Sequence, residues 1–401
     1  MSAELTNLNA AFPELRFCSG TADVEAFRQG DPALLRPVLA EPLADLPDPR
    51  REVALVFGGN GFVGAHLIAR LARDPRIRRV WASVRGNATR SPRQRLEETF
   101  QRYDIGDIPW QKVDIVEATP TRDELGLSVD RYQELATDVD LVFNCASSSD
   151  YSTSYLDLRT DWVLSLPRLL RFCAERRRKH LTYLGSVSAY FYQQPEDFKR
   201  PDSWWYSGYA QMKWVNGTLL RWLAQDELLS VTLVESPYVL GATDVARDPA
   251  QHYSWWRIVE IARSIGLLWD GPGMCYVPVD VLADALTVNA LREAPLPRLL
   301  PRNPVPYHNE MLAELLGVAL TSWDEFLAEA TRQVSARRVD TLLSSNFDAL
   351  VRIVNEPPTV FPPEHDVSWC DNHRLFRRYL ENIRLRDVRV AARPASAPSS
   401  L

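Results

Sequence analysis

Short apolar runs alternate with segments of helical periodicity over residues 51–245. The run Val53–Phe57 is apolar at every position, which is typical of a strand buried on both faces of a sheet. Later runs of the same kind, separated by helical segments such as Ala65–Arg73, are Val80–Val84, Leu141–Asn144, Leu181–Leu184 and Val231–Val234. This alternation predicts an α/β fold, in which helices cover both faces of a doubly wound parallel sheet of the Rossmann type.

The pattern also divides the chain into regions. Residues 1–50 are rich in proline and acidic residues and predict short helices followed by a linker. Residues 51–245 form the predicted Rossmann domain, with a return element near 277–290. Residues 246–390 predict a smaller, mostly helical substrate-binding or lid region, although the stretch 242–275 looks aromatic and irregular. The tail 391–401 is predicted to be disordered.

The composition argues against several classes of function. The 401 residues are 46% hydrophobic and 24% charged, with a formal net charge of −6, so no nucleic-acid surface is expected. The five cysteines lie far apart and include no CxxC pair, so we expect neither a disulfide framework nor a metal site. Because the chain shows no signal-peptide pattern and no apolar run of membrane-spanning length, we expect a cytoplasmic protein. No exposed apolar stripe indicates an interface, and we expect a monomer.

A glycine-rich turn follows the first predicted strand and opens a helix. Gly58, Gly61 and Gly64 have the spacing GxxGxxG. The first glycine permits a tight turn, the second lets the backbone approach a pyrophosphate, and the third lets the helix pack closely on its strand. The free N–H groups and the dipole of the helix N-terminus favour an anion. The strand–turn–helix context therefore predicts a dinucleotide-binding site.

The end of the second predicted strand indicates which dinucleotide binds. An acidic residue about 20 residues after the glycine motif binds the ribose 2′-hydroxyl of NAD, whereas an arginine there favours the 2′-phosphate of NADP. Arg85 occupies this position, and no acidic residue lies between Val80 and Arg95. The planar guanidinium suits a phosphate, so the sequence predicts NADPH, with Arg90, Arg93 and Arg95 as further candidate contacts.

Tyr209 and Lys213 form a YxxxK motif on a predicted helix, where residues four apart share a face. A lysine ammonium beside a phenol favours the phenolate and lowers the pKa of the tyrosine, which can then act as a general acid or base. Ser186 follows the carboxyl end of the strand Leu181–Leu184, where open parallel sheets bind ligands. We expect its hydroxyl to hold a carbonyl oxygen beside Tyr209, with Ser188 as the competing candidate.

Together these motifs resemble the extended short-chain dehydrogenases, and further segments resemble their thioester reductases. Gly208–Val215 resembles the signature GYxxSKW, with Met212 where serine is usual. Other segments that resemble this group are Leu125–Leu127, Val139–Ala146, the RPGxxxG-like Ser236–Gly241 and the VPVD element Val277–Asp280. The group includes the reductase domains that end nonribosomal peptide synthetases, carboxylic acid reductases and fatty acyl-CoA reductases.

The resemblance implies that NADPH delivers hydride to the carbonyl carbon of a thioester. Tyr209 would protonate the developing oxyanion, Ser186 would hold it, and Lys213 would orient the cofactor ribose. Collapse of the hemithioacetal would release a thiol and an aldehyde, which some members reduce to the alcohol. The implied cofactor contacts are Gly58, Asn60, Gly61, Phe62, Val63 and Gly64 in the turn, Arg85 and Arg95 at the 2′-phosphate, Asp114 and Ile115 at the adenine, Asn144, Ala146 and Ser147 in the groove, Lys213 at the ribose, and Pro237, Tyr238 and Val239 near the nicotinamide.

The chain departs from the pattern of this group in two places. The group has a helper asparagine after the fourth strand, where this chain reads Asp161–Ser165, and its loss bears on the usual proton-relay water. Ser147–Asp150 replaces a more apolar stretch and bears on the substrate side. The aromatic segments Tyr190–Tyr192, Trp204–Tyr206 and Tyr253–Trp256 fit either a cleft for an apolar chain or a core between domains.

No carrier or adenylation segment is visible, so we expect a freestanding enzyme. Its partner would be an acyl or peptidyl carrier protein, bearing the substrate as a phosphopantetheine thioester, or its substrate would be an acyl-CoA. The basic run Arg176–Lys179 either attracts an acidic carrier protein or opposes a helix dipole, and the second interpretation is favoured.

Two other functions remain open on the sequence alone. A nucleotide-sugar epimerase or a dehydrogenase of small alcohols would use the same fold, but Arg85 opposes the bound NAD of the epimerases. A redox-silent cyclase or binding protein would hold a carrier-bound acyl chain without hydride transfer. Ser186, Tyr209 and Lys213 oppose this alternative, whereas the missing asparagine keeps it open.

Overall fold

The computed structural model describes residues 46–148, 153, 155–192, 208–225, 229–244, 254–273, 275–333, 362 and 371–382. The predicted N-terminal helices, the aromatic segment Trp204–Tyr206 and the predicted disordered tail 391–401 lie outside these residues.

A parallel seven-stranded sheet forms the centre of the described fold, with strand order β10-β6-β5-β4-β1-β2-β3. The order reverses direction between β1 and β4, and open α/β sheets bind ligands at the carboxyl ends of the strands beside such a point. This topology confirms the predicted Rossmann-type sheet. Its strands are β1 (Val53–Phe57), β2 (Arg79–Ser83), β3 (Val113–Val116), β4 (Leu141–Asn144), β5 (His180–Leu184), β6 (Val231–Val234) and β10 (Arg298–Leu299).

Two hydrophobic clusters, one on each face of the sheet, explain why β1 is apolar throughout. Val53, Leu55 and Phe57 contribute to one cluster, and the alternate side chains of Ala54 and Val56 contribute to the other. The helices that cover the sheet and continue beyond it are α1 (Phe62–Arg73), α2 (Pro92–Arg102), α3 (Val129–Asp138), α4 (Tyr155–Leu158), α5 (Leu166–Cys173), α6 (Gly208–Gln225), α7 (Ser254–Ile265), α8 (Val279–Ala290), α9 (Asn309–Leu316), α10 (Trp323–Gln333) and α11 (Asn372–Asn382).

The stretch 242–275 is more regular than predicted, because it contains α7 and a strand. Two small parallel sheets lie outside the main one: β7 (Tyr238–Leu240) pairs with β9 (Tyr276–Pro278), and β8 (Leu267–Trp269) pairs with β11 (Ala319–Thr321). The aromatic residues that obscured the helical pattern form core. Trp255 is 1% exposed, stacks on Phe376 with ring centroids 5.2 Å apart, and donates to the Tyr307 hydroxyl at 3.2 Å.

The residues predicted as a return element near 277–290 form β9 followed by α8. Helix α8 packs against α1, so this later part of the chain covers the helix that begins at the glycine turn. An ion pair at 2.6 Å between Arg70 on α1 and Asp284 on α8 lies at their contact.

The basic run Arg176–Lys179, which precedes β5, makes structural contacts at the amino-terminal end of the sheet. Arg177 pairs with the buried Asp140 at 2.6 Å, and Arg178 pairs with Asp48 at 2.7 Å. Lys179 donates to the carbonyl oxygen of Glu175 near the end of α5 at 2.7 Å. The dipole-opposing interpretation of this run therefore fits its contacts better than a docking site for a carrier protein. Among the helices of the described ranges, none is long and apolar enough to cross a membrane.

Two buried histidines are held neutral in the folded protein. His180 on β5 lies 2.8 Å from the Ser230 hydroxyl and 3.2 Å from the Thr232 hydroxyl. Burial, aided by the charge of Arg51, lowers the pKa of His180 to about 3. Burial also lowers the pKa of His66 to about 4, against a smaller raising effect of its hydrogen bond to the Phe62 carbonyl oxygen. Both folded-state pKa values lie below the ordinary value of 6.5.

We predict that the free energy of unfolding falls as the pH is lowered from about 6.5 towards 4, because the unfolded chain then binds protons that the folded chain excludes. Each buried histidine contributes up to about 1.4 kcal/mol per pH unit over this window. Urea unfolding of His66→Leu should show a shallower pH dependence than wild type, and His373→Gln, at an exposed histidine, serves as the control. An unchanged slope in His66→Leu would contradict this account.

Candidate active site

The glycine turn lies at the switch point of the sheet and depends on glycine at two positions. Gly58 has φ +77°, and a Cβ atom there would lie 2.9 Å from the backbone nitrogen of Ala146. A Cβ atom on Gly64 would lie 2.2 Å from the Gly58 carbonyl oxygen, so only glycine lets α1 approach β1 this closely. Gly61 caps α1 without a side-chain hydrogen bond, which leaves the first N–H groups of the helix available to an anion.

The other predicted residues of the turn differ in what they can offer a cofactor. Asn60 is half-buried and Gly61 is exposed, so both are accessible at the surface of the turn. Phe62 and Val63 are buried in one of the core clusters. Their side chains therefore anchor α1, and only their backbone N–H groups are placed for a phosphate.

The loop after β2 presents Arg85 as an exposed cation near the turn. Arg95 on α2 donates a hydrogen bond to the carbonyl oxygen of Arg85 and so fixes the loop. Arg90 pairs with Glu98 at 2.9 Å, and the Arg93 guanidinium pairs with Glu97 at 2.6 Å while lying over the Trp110 ring. Among the described residues no carboxylate pairs with Arg85, which leaves its guanidinium for a phosphate.

Asp114 and Ile115, the predicted adenine contacts, do not lie beyond the carboxyl end of β3, where open α/β sheets bind ligands. Both are inside β3, where Asp114 pairs with Arg79 at 2.6 Å and Ile115 packs against the core. The first residue after β3 is Glu117, which is exposed and accepts a hydrogen bond from the Gly86 backbone at 3.3 Å. No sequence motif marks Glu117; the register of β3 is the signal that places it at this end of the sheet.

The carboxyl end of β4 borders the glycine turn. Cys145 donates from its backbone to the Phe57 carbonyl oxygen at 3.1 Å, which brings Ala146 against Gly58. Asn144 is 6% exposed, and its side-chain oxygen has no hydrogen-bond partner in the described protein. Ser147 is half-buried and donates to the Ser148 carbonyl oxygen at 3.0 Å. An unpaired buried acceptor beside a turn built for close backbone approach fits a dinucleotide with ribose hydroxyls.

Ser186 and Tyr209 meet as predicted, and Ser188 orients the serine. Ser186 is hydrogen-bonded through its side chain to Tyr209. The Ser188 hydroxyl donates to the Ser186 oxygen at 2.9 Å, and the Ser188 backbone N–H donates to it at 3.2 Å. With two donors on its oxygen, Ser186 directs its own proton to Tyr209, so the structure favours Ser186 over Ser188 as the substrate-binding hydroxyl.

Lys213 completes the cluster, but its effect on Tyr209 differs from the sequence expectation. The Lys213 ammonium lies 5.6 Å from the Tyr209 ring centroid and donates to the Leu184 carbonyl oxygen at 2.8 Å. Burial lowers the pKa of Lys213 to about 7, with a smaller raising effect of the Cys145 thiol. The pKa of Tyr209 is raised by its burial, despite the opposing hydrogen bond from Ser186. The predicted lowering is therefore wrong for the protein without cofactor, and Tyr209 is a protonated phenol at neutral pH.

The loop after β6 closes the groove beside Ser186. The backbone N–H of Val187 donates to the Ser236 carbonyl oxygen at 3.0 Å, which places Pro237 next to the catalytic loop. Tyr238 is half-buried at the start of β7, whereas Val239 is 7% exposed and packs in the core. Pro237 and Tyr238 thus lie beside the loop that carries Ser186, whereas the Val239 side chain belongs to the core.

Two further residues near Lys213 were missed from the sequence. Tyr183 on β5 lies with its ring centroid 5.5 Å from the Lys213 ammonium, and Asn216 on α6 donates to the Tyr183 hydroxyl at 2.8 Å. His308 caps α9, since its side chain accepts a hydrogen bond from the Glu310 backbone. In the described part of the chain, no group of histidine, cysteine and acidic residues is arranged to hold a metal ion.

We predict that Gly64→Ala weakens binding of NADPH and NADH by about tenfold or more, because the new methyl group displaces the Gly58 carbonyl and opens the turn. Titration followed by nicotinamide fluorescence measures this. Gly106→Ala is the matched control, because a Cβ atom there has no neighbour within 4 Å. Wild-type affinity in Gly64→Ala would show that the turn does not hold the cofactor.

Comparison with known proteins agrees with this architecture. The NAD-binding family described as Male sterility protein matches residues 56–286. The terminal R domain from the myxalamid PKS-NRPS pathway superposes with a TM-score of 0.68 at 19% identity, covering 88% of this chain and 97% of that domain. Among curated relatives, Trichosetin synthetase PKS-NRPS1 of Gibberella fujikuroi is 28% identical over 60% of this chain and 6% of its own length. Aldehyde reductase lnbA of Aspergillus flavus is 24% identical over 82% of this chain and 34% of its own length.

This chain thus spans about a third or less of the length of these curated relatives. The solved domain shares its fold, and the family match covers more than half of the residues. The chain belongs to the NAD-binding family described as Male sterility protein.

Proposed function

We propose that this chain is an NADPH-dependent reductase that converts thioesters to aldehydes. The acyl group of the thioester would be bound either to the phosphopantetheine arm of a carrier protein or to CoA. The observation that carries the proposal is the contact of Ser186 with a protonated Tyr209 beside the buried Lys213 ammonium. These groups lie at the carboxyl edge of the sheet, next to a turn that fits a dinucleotide. The exposed Arg85 supports NADPH over NADH.

The residues present would perform the protein's share of a hydride reduction. A nicotinamide cofactor, held by the glycine turn and Lys213, would supply a hydride for the carbonyl carbon of the thioester. Ser186 and Tyr209 hold the carbonyl oxygen, and Tyr209 donates its proton to that oxygen as negative charge develops there. The raised pKa of Tyr209 suits this role, because the phenol carries the proton to be donated. Lys213 stabilises the phenolate that remains.

Breakdown of the hemithioacetal completes the reaction. The carbon–sulfur bond breaks, the oxygen loses its proton as the carbonyl reforms, and the thiolate takes up a proton. One thioester, one NADPH and one proton thus give one aldehyde, one thiol and one NADP⁺. A second round on the aldehyde would give the alcohol and consume a second NADPH, so the ratio of cofactor to thiol distinguishes the two products.

We predict that NADPH oxidation requires a thioester and that Tyr209→Phe lowers kcat by about a hundredfold or more, because the proton donor is lost. Absorbance of NADPH and release of thiol are followed together over a panel of acyl-CoA and acyl-carrier substrates. Tyr132→Phe is the control. It removes the hydroxyl of another buried tyrosine, which donates to Glu175 away from the site. If NADPH binds but no thioester is reduced, the redox-silent binding or cyclase function becomes the better account.

We predict that Arg85→Ala raises the KM for NADPH about tenfold or more and leaves the KM for NADH within about twofold, because only NADPH carries the 2′-phosphate. Arg93→Ala is the matched control, since that guanidinium is already paired with Glu97. Equal effects of Arg85→Ala on both cofactors would place the 2′-phosphate elsewhere.

A further inference from the structure

Asn216 is a buried polar residue on the helix that carries the catalytic pair. It is fully buried on α6, on the same face as Tyr209 and Lys213, which precede it by seven and three residues. Its amide nitrogen donates to the Tyr183 hydroxyl at 2.8 Å and to the Trp162 carbonyl oxygen at 2.9 Å. A carbonyl oxygen can only accept, so the bond to Trp162 fixes which way the amide is turned.

The acceptor at Trp162 is provided by an interruption of a helix. Residues Arg159–Val163 form a π-helical turn, closed by the backbone bond from Leu164 to the Arg159 carbonyl oxygen at 2.9 Å. Such turns release carbonyl groups from the regular helical ladder and occur often at functional sites. This is also the stretch in which the family resemblance implies an asparagine and the chain has none. Here an asparagine from α6 reaches into it instead.

Tyr183 contacts both Asn216, through its hydroxyl, and Lys213, through its ring. The Lys213 ammonium lies over the Tyr183 ring, 5.5 Å from its centroid, and over the Tyr209 ring, 5.6 Å from its centroid. Ring faces attract a cation, most strongly where water is excluded. Among the described residues, the groups that face Lys213 are Tyr183 and Leu184 from β5, Tyr209 from α6 and Cys145 after β4.

One feature of Asn216, its unpaired side-chain oxygen, indicates that this residue does more than fill space in the core. Its side-chain oxygen is buried and has no hydrogen-bond partner in the described protein. Leaving an acceptor unpaired costs free energy, and an apolar side chain would avoid this cost. The arrangement is explained if the amide nitrogen has a task that an apolar residue cannot perform.

We propose that Tyr183 and Asn216 are positioning residues for the reaction proposed above: Asn216 holds the Tyr183 ring in place, and the ring holds the Lys213 ammonium beside Tyr209. Neither residue touches substrate or cofactor. They act by fixing where the ammonium lies and by favouring its charged form. The inference rests on the proposed function of Tyr209 and Lys213, but the state of Lys213 can be measured without any substrate.

The variants Asn216→Ala and Tyr183→Leu test the network, and Tyr183→Phe keeps the ring. We expect Asn216→Ala and Tyr183→Leu to lower kcat about tenfold with the thioester KM within about twofold, because positioning affects the transition state. The charged lysine is the active form, so losing the ring lowers its pKa and moves the alkaline limb of the pH profile down by about half a unit or more. Tyr183→Phe should retain most of the activity.

Asn289→Ala is the matched control. Asn289 is equally buried and donates from its amide nitrogen to the Thr232 hydroxyl at 2.9 Å and to the Leu296 carbonyl oxygen at 3.2 Å, but it lies on α8 away from Lys213. Its loss should destabilise the fold without moving the alkaline limb. If Asn216→Ala and Tyr183→Leu behave like this control, with the pH profile unchanged, their role is structural and the proposal is wrong.

A substrate-free titration separates failure of this proposal from failure of the proposed function. NMR of protein labelled at the lysine side chains follows the Lys213 signal, which Lys213→Met identifies. We expect its pKa to be lower in Tyr183→Leu and Asn216→Ala than in wild type, and unchanged in Asn289→Ala. This result would support the network even if no thioester were reduced. Equal Lys213 pKa values in all four proteins would overturn it, whatever the enzyme reduces.

Discussion

The burial of one cation, the Lys213 ammonium, is the constraint on which the rest of the site depends. A buried charge is costly unless it is paired or hydrogen-bonded. This ammonium has one carbonyl acceptor, at 2.8 Å, and two aromatic rings around it. Its pKa falls to about 7, so a modest change in its surroundings alters its charge near neutral pH. The position of β5, of α6 and of the loop after β4 therefore decides whether the lysine is charged.

Burial lowers the pKa of Lys213 but raises the pKa of Tyr209. Removing a phenol from water raises its pKa, and the Ser186 hydrogen bond offsets only part of that effect. The pair thus combines a tyrosine that keeps its proton with a lysine that readily gives one up. A proton donor is what reduction of a carbonyl requires, whereas oxidation of an alcohol requires a base. The cofactor-free electrostatics of this site therefore suit the reductive direction.

The fold was predictable where both faces of a segment are buried. β1, β4 and β6 have the bounds predicted from their largely apolar runs, because every position of these strands is buried. β3 was not predicted, since Asp114 interrupts its apolar pattern, and the two residues predicted at the adenine, Asp114 and Ile115, lie inside this strand. The helix α7 was missed because tryptophans that pack between elements look like an irregular aromatic stretch. The two-residue β10 has no pattern of its own.

The site was predictable only through residues that form local motifs. The spacing of certain residues along the chain is enough to indicate a chemical role, as it does for Gly58, Gly64, Ser186, Tyr209 and Lys213. No such spacing marks Asn216, because its partners lie 33 and 54 residues away in sequence and one of them is a backbone carbonyl group. Contacts of this kind depend on how α6 crosses the π-helical turn, which no one-dimensional pattern encodes.

Transfer of the hydride itself tests the central claim most directly. NADPH deuterated at the nicotinamide C4 position is incubated with the protein and an acyl thioester, and the organic product is analysed by mass spectrometry. The account predicts deuterium on the former thioester carbonyl carbon, with one thiol released per deuterium transferred at the aldehyde stage. Release of thiol without deuterium in the product would contradict it and indicate hydrolysis or cyclisation, as would bound cofactor that never loses its label.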